Sequence, residues 1–250
     1  MFDVKSQLGV QSWCFRNFKA VPALIEQVKG IGLSRVEVCA VHVDFNSEAT
    51  FEGTIQQFKS AGVQITSIGV QTFRGDEATE EKWFRFCKMA GAKMISATFD
   101  VAAVPAAYRV AEKLAEKYDL VLGVHNHGGY DWLGNAMMLK QVFATTGERI
   151  GLCIDTAWCM QAGEEPVKWA AEIFAGRLYS AHVKDFVFHR DGRPEDVVVG
   201  TGNLKLKEMM GAVMKSSKLA AVTLEYEGDV ENPGPALREC VGRVAGATTT

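Results

Sequence analysis

Histidines and carboxylates stand at the ends of several apolar, strand-like runs of this chain. Their types suit metal binding or proton transfer. The clearest case is Leu120-Val-Leu-Gly-Val-His125-Asn-His127, an apolar run that ends in two histidines at i and i+2 and then in Gly128 and Gly129. Side chains two apart on a strand share a face, so His125 and His127 are expected to leave the strand in one direction. The glycines let the backbone turn away with no side chain in the space beyond. His182 ends a similar run in Ala181-His182-Val-Lys184-Asp185, and carboxylates end others at Ile154-Asp155-Thr and Leu224-Glu225-Tyr-Glu227. Imidazoles are the commonest nitrogen ligands of divalent metals and the usual proton carriers near neutral pH.

Each of these residues has a plainer reading beside the chemical one. Asp155 either caps the following helix or ligates a metal, for which an oxygen donor suits Mg or Mn. His182 is either a satisfied core histidine or a ligand. Glu225 and Glu227 share one side of a strand, with Tyr226 on the other. Glu225, deeper in the apolar run, is the better ligand candidate, and Glu227 suits the mouth as a substrate contact. One of His125 and His127 faces the pocket centre, and the other orients it or touches substrate. Glu37 is open among ligand, acceptor for a sugar hydroxyl, and partner of Arg35 or Lys184. Lys184 is open among counter-ion, hydroxyl or phosphate contact, and acid–base group. Asp100 and Asp185 suit capping or support of a ligand. Trp13 and Trp158, at strand ends, suit an apolar wall for a sugar ring. The Gly200-Thr-Gly202 turn can present backbone amides to a substrate.

The elements that must position these residues alternate along the whole chain. Strand-like runs lie at 8–15, 35–41, 64–72, 94–100, 120–127, 150–156, 178–184 and 221–227. Amphipathic helical patterns fill 21–30, 52–61, 77–90, 105–118, 133–146, 165–175 and 204–217. Near-continuous apolar strands are the mark of parallel strands buried on both faces. Repeated strand–helix units in 250 residues with no break in composition predict a single (β/α)8 barrel over residues 1–250. An open doubly wound sheet would need a glycine-rich phosphate turn after its first strand, and Trp13-Cys14-Phe15-Arg16-Asn17 has no glycine. In a barrel the active site lies at the C-terminal strand ends, where the ionisable residues gather. Such groups are costly inside Val/Ile/Leu strands unless paired or metal-bound.

Composition narrows the partners. The net charge of −3, with Lys and Arg scattered, gives no basic stripe for nucleic acid or an anionic membrane. No apolar run approaches the roughly 20 residues a spanning helix needs, and the N-terminal sequence lacks the pattern of a signal peptide. Six cysteines without a Cys-x-x-Cys pair point to free thiols and a reducing, cytoplasmic setting.

The order Glu37, His125-Asn-His127, Ile154-Asp155-Thr, Ala181-His182-Val-Lys184-Asp185, Gly200-Thr-Gly202 and Leu224-Glu225-Tyr-Glu227 resembles the xylose-isomerase-like sugar (phosphate) isomerase/epimerase superfamily. The resemblance runs from the first strand to the eighth, and its most specific parts are His-x-Lys-Asp and Glu-x-Glu. It implies a barrel holding one divalent metal (Mn, Zn, Co or Mg), with His125, Asp155, His182 and Glu225 as ligands. It also implies a small carbohydrate substrate, and it allows a homo-oligomer. Two departures stand out. His125 takes the place of the family's strand-five glutamate, and Asp155-Thr-Ala-Trp158 replaces an Asp-x-x-His. Of the paired glutamates with which family epimerases move protons, only Glu225 is present. Two nitrogen donors favour Zn, Mn or Co over Mg.

The resemblance implies a metal-dependent isomerase or epimerase of a sugar or sugar phosphate. It would work through a metal-stabilised enediolate, with Glu225, His127 or Lys184 as the base. The alternatives are a lyase or dehydratase of a keto-sugar or inosose, and a sugar-binding barrel without catalysis. Endonuclease relatives carry a tri-metal cluster with more histidines and a basic surface, which this chain lacks.

Overall fold

Eight short strands run parallel and close into a ring. The structure is a computed structural model that describes residues 2–129 and 131–249; Met1, Tyr130 and Thr250 lie outside the described residues. The strands are β1 (Leu8–Gln11), β2 (Arg35–Val38), β3 (Gln64–Phe73), β4 (Met94–Phe99), β5 (Val121–His125), β6 (Ile150–Asp155) and β7 (Leu178–Val183). A hairpin follows, β8 (Asp185–Phe188) and β9 (Pro194–Val197), and then the last barrel strand, β10 (Ala221–Leu224). Around the barrel the order is β1-β10-β7-β6-β5-β4-β3-β2, so each strand pairs with its neighbour in sequence once the hairpin is set aside. This is the expected (β/α)8 barrel. β6 and β7 are buried at every position, as continuous apolar runs between barrel interior and helices require.

Helices on the outside include Val21–Gly30, Phe51–Ser60, Glu77–Ala90, Ala106–Tyr118, Ala136–Thr145, Leu206–Val213 and Gly234–Thr248. The last of these lies beyond the predicted helical patterns and buries Leu237, Cys240 and Val244. The predicted helix at 165–175 divides into Pro166–Lys168 and a π-helical stretch, Trp169–Ile173. The first strand is shorter than the predicted 8–15. After Gln11 the chain winds into a 3-10 turn, Ser12–Phe15, because the Gln11 side chain accepts the Trp13 N–H at 3.1 Å. That local bond competes with strand pairing and lifts Trp13 to the barrel mouth.

The hairpin is the main departure from the predicted alternation. β8 and β9 pair antiparallel, with Phe186 opposite Asp196 and Phe188 opposite Pro194. Among the described residues no helix is long and apolar enough to cross a membrane, and all six cysteines are buried and free.

Candidate metal centre

The C-terminal strand ends bring four predicted residues together. One ligand atom each from His125 (end of β5), Asp155 (end of β6), His182 (β7) and Glu225 (just past β10) lies within 4.8 Å of the others, and all four residues are buried. The two readings of Asp155 divide between its two oxygens. Oδ1 accepts the Trp158 N–H at 2.8 Å and caps the helix Thr156–Gln161. Oδ2 lies 3.5 Å from His125 Nε2, and neither atom has a hydrogen-bond partner. Asn126 locks the two strand ends, since its amide donates to the Asp155 carbonyl at 3.0 Å and its Oδ1 accepts the Asp155 N–H at 2.8 Å.

His182 stands between two carboxylates. Its Nδ1 lies 2.8 Å from Glu225 Oε2, and its Nε2 lies 3.0 Å from Glu37 Oε1, the latter off hydrogen-bond alignment. Burial works against charge on this ring. Cys153, Glu37 and Glu225 outweigh it and raise the imidazole well above its ordinary pKa. Glu37, for which contact with a sugar hydroxyl is one of the three readings, is fully buried against His182 and does not line the cavity. Burial would raise its carboxyl, but His182, Ser67 and Ser96 hold it below the usual range.

Lys184 has the surroundings of a counter-ion. Its ammonium is 1% exposed and contacts Glu225 Oε1 at 3.0 Å, Asp196 Oδ2 at 3.4 Å, and Glu227 Oε1 more closely still. Burial disfavours this cation, yet Glu225, Asp155, Asp196 and Glu227 raise its pKa above the ordinary lysine value. In return Lys184 and His182 overcome the burial of Glu225 and keep its carboxyl well below the usual range. Glu227 also accepts the Trp13 indole N–H at 2.7 Å and pairs with Arg16 at 3.3 Å.

Above the four residues opens a cavity of about 590 Å³, lined by Gln11, Trp13, His127, Asp131, Trp158 and Glu227 among others. Strand pairing ends at His125, so strand alternation does not carry on to His127. His127 nonetheless lines the cavity, stacked on Trp158 with ring centroids 4.2 Å apart. Its Nδ1 lies 3.3 Å from the Gly128 carbonyl. The Gly200-Thr-Gly202 turn does not present its amides to the cavity. Asp185 Oδ2 accepts the N–H groups of Gly200 and Gly202, each at 2.9 Å, and Oδ1 accepts that of Leu204 at 2.8 Å. A Cβ at Gly202 would fall 2.7 Å from Asp185 Oδ1, so only glycine admits the carboxylate here. Asp100 caps its own turn through the Ala102 N–H.

Sequence reasoning missed Asp196, Gln11, Asn126 and Asp131. Asp196 arrives on the hairpin, whose cue was an Asp191-Gly192 turn between Phe186-Val187-Phe188 and Val197-Val198-Val199. Burial pushes its carboxyl up to about 7 against the pull of Lys184.

The donor set fits a divalent cation. Unpartnered buried polar atoms are costly, and His125 Nε2 and Asp155 Oδ2 are two such atoms facing one another. A cation held by His125, Asp155, His182 and Glu225 would satisfy both.

Comparison with known proteins agrees with this architecture. The xylose isomerase-like TIM barrel family matches residues 25–242. The 3-oxo-isoapionate decarboxylase of Pectobacterium atrosepticum is 25% identical over 176 residues, 67% of this chain and 62% of that protein, so the match spans less than two thirds of the relative. The probable 3-DHS dehydratase AsbF from Bacillus anthracis superposes with a TM-score of 0.75 at 14% identity, over 96% of this chain and 98% of that one. D-Psicose 3-epimerase from Clostridium cellulolyticum H10 does so with a TM-score of 0.74 at 14% identity, over 96% and 99%. Likeness at such identities is likeness of fold. With the family match extending from the first outer helix to the last, the chain belongs to the xylose isomerase-like TIM barrel family.

Proposed function

We propose that this chain is a divalent-metal-dependent lyase acting beside the carbonyl of a small keto-sugar derivative, with proton transfer on one face only. One observation carries the reading: the ligand that β5 contributes is an imidazole, His125, where a two-base epimerase needs a second carboxylate. Of the two carboxylates in the group, Asp155 commits one oxygen to a helix cap, which leaves Glu225 without an acidic counterpart across the substrate. Loss of water or of carbon dioxide next to a carbonyl needs no base on the opposite face. The decarboxylase that is 25% identical over part of its length lends support.

His125, Asp155, His182 and Glu225 would hold the cation, and the two nitrogen donors favour Zn, Mn or Co over Mg. Bound there, it supplies Lewis acidity toward a carbonyl oxygen and the hydroxyl beside it. His127 would move the proton. With Nδ1–H turned to the Gly128 carbonyl, Nε2 keeps a lone pair, and the Trp158 face fixes the ring. Lys184, held as a cation, keeps Glu225 anionic rather than serving as a base. Trp13 and Trp158 supply apolar walls for the carbon face of a sugar. An isomerase that returns the proton to the neighbouring carbon on the same face is the second reading, since it too needs only His127.

The test is NMR of metal-loaded protein with a keto-sugar panel in deuterated water. Loss of water or carbon dioxide is the expected result. An isomer carrying solvent deuterium would replace the first reading with the second, and metal-replete protein inert toward the whole panel would sink both.

A further inference from the structure

Glu37 is the most heavily partnered carboxylate near the centre, yet it neither lines the cavity nor belongs to the group of four. It is fully buried on β2. Oε1 accepts from Gln11 Nε2 at 2.6 Å, and Oε2 accepts from Ser67 Oγ at 2.5 Å and Ser96 Oγ at 2.8 Å. These donors come from β1, β3 and β4, and the fourth partner, His182, comes from β7 across the barrel. The cations that the sequence offered are engaged elsewhere. Arg35 donates to Gln64 at 2.6 Å, and Lys184 serves Glu225, Glu227 and Asp196. A carboxylate so placed costs several kcal/mol in desolvation unless its oxygens are bonded. The three donors hold the anion in place, and Oε1 is thereby aimed at one nitrogen of His182.

We infer that Glu37 is the positioning residue of the metal centre: its charge beside Nε2 fixes the His182 ring and so leaves Nδ1 toward Glu225. The physical basis is general. A ligating imidazole keeps its tautomer and ring angle only when its other N–H meets an acceptor, and loss of that acceptor weakens metal binding about 10- to 100-fold. Here Nε2 lies 3.0 Å from Glu37 Oε1, within ion-pair reach though off hydrogen-bond alignment, and Nδ1, on the other edge of the ring, lies 2.8 Å from Glu225 Oε2. Gly69 shows how tightly the support is built. A Cβ there would fall 3.0 Å from Glu37 Oε1 and 2.5 Å from Ser96 Cβ, so the cavity wall passes directly over the carboxylate with room only for glycine. The inference rests on the metal-centre reading and is independent of which reaction follows.

Titration with Co2+ tests it, because the visible absorption of Co2+ reports its ligands without any substrate. Glu37→Gln is expected to lower Co2+ affinity by about 10- to 100-fold and to alter the absorption bands, while the metal-free melting temperature moves little. The Ser67→Ala/Ser96→Ala double variant keeps the charge but frees it to move. It is expected to weaken Co2+ binding in the same direction, and it serves if Glu37→Gln folds poorly. Folded variants with wild-type affinity and spectrum would overturn the inference alone. Wild-type protein that takes up no Co2+ would overturn the metal reading and this inference together.

Discussion

Asp155 Oδ2 lies 3.5 Å from His125 Nε2 while Asp155 Oδ1 holds the Trp158 N–H, so one carboxylate serves the helix and the site with separate atoms. The two roles are separable by substitution. Asp155→Asn keeps an oxygen for the cap, since Asn ranks with Asp there, but loses the charge and puts an amide at the site. Metal-free Asp155→Asn is expected to melt within about 2 °C of the wild type, and Asp155→Ala to lose about 1 kcal/mol, or roughly 2–4 °C. Both variants are expected to lose stoichiometric metal. Thermal unfolding and metal analysis check the pair, and an Asn variant that still holds a full metal equivalent would remove Asp155 from the ligand set.

Lys184 lies against Glu225, Glu227 and Asp196 at once. Lys184→Met leaves these carboxylates facing one another without a cation, and breaking a buried pair in this way costs about 3–5 kcal/mol. The loss depends on pH with a definite sign. Carboxylates deprived of their cation hold protons more tightly when folded, so stability lost by the variant grows as pH rises. Urea unfolding at pH 5.5 and 8 is expected to show the larger deficit at pH 8, and equal deficits would contradict the counter-ion role.

Much of this site is legible from residue types, and the remainder is hidden for physical reasons. Parallel strands buried on both faces produce continuous apolar runs, so the barrel and its order can be read directly. A His, Asp or Glu closing such a run is conspicuous because it is costly there, which is why His125, Asp155, His182 and Glu225 stand out. Glu37 is conspicuous for the same reason, but strand alternation gives a face and not a depth. Whether that carboxylate meets substrate or supports a ligand depends on Ser67, Ser96 and Gln11 on other strands. Asp196 is hidden differently: the hairpin that carries it interrupts the strand–helix rhythm by which the rest of the chain is read.

Asp196 gives the hairpin a pH signature. Its carboxyl titrates near 7 in the folded protein through burial, against about 3.9 in an unfolded chain. Between these values the native state holds a proton that the unfolded state has released. The contribution of this residue to stability is therefore full below about pH 4 and is lost as pH rises through 7. Asp196→Asn cannot ionise and escapes that loss. The melting temperature of the variant minus that of the wild type is expected to climb from pH 4 to 7 and to level off above. A difference that stays flat over this range would show that Asp196 remains ionised in the fold.

His127 and Trp158 should separate proton transfer from metal binding. The His127 ring lies 4.2 Å from the Trp158 ring, lines the cavity, and stands outside the group of four. His127→Gln removes the proton carrier and leaves His125, Asp155, His182 and Glu225 intact. Full metal content with a fall in kcat of about 10²- to 10⁴-fold, the usual worth of a general acid or base, is the expected result. Trp158→Ala frees the ring without deleting it, so it is expected to give a smaller fall in kcat together with a higher KM, because an apolar wall is also lost. A His127→Gln enzyme that keeps its rate would pass the proton-transfer role to Glu225, and the Lys184–Glu225 contact would then have to open during turnover.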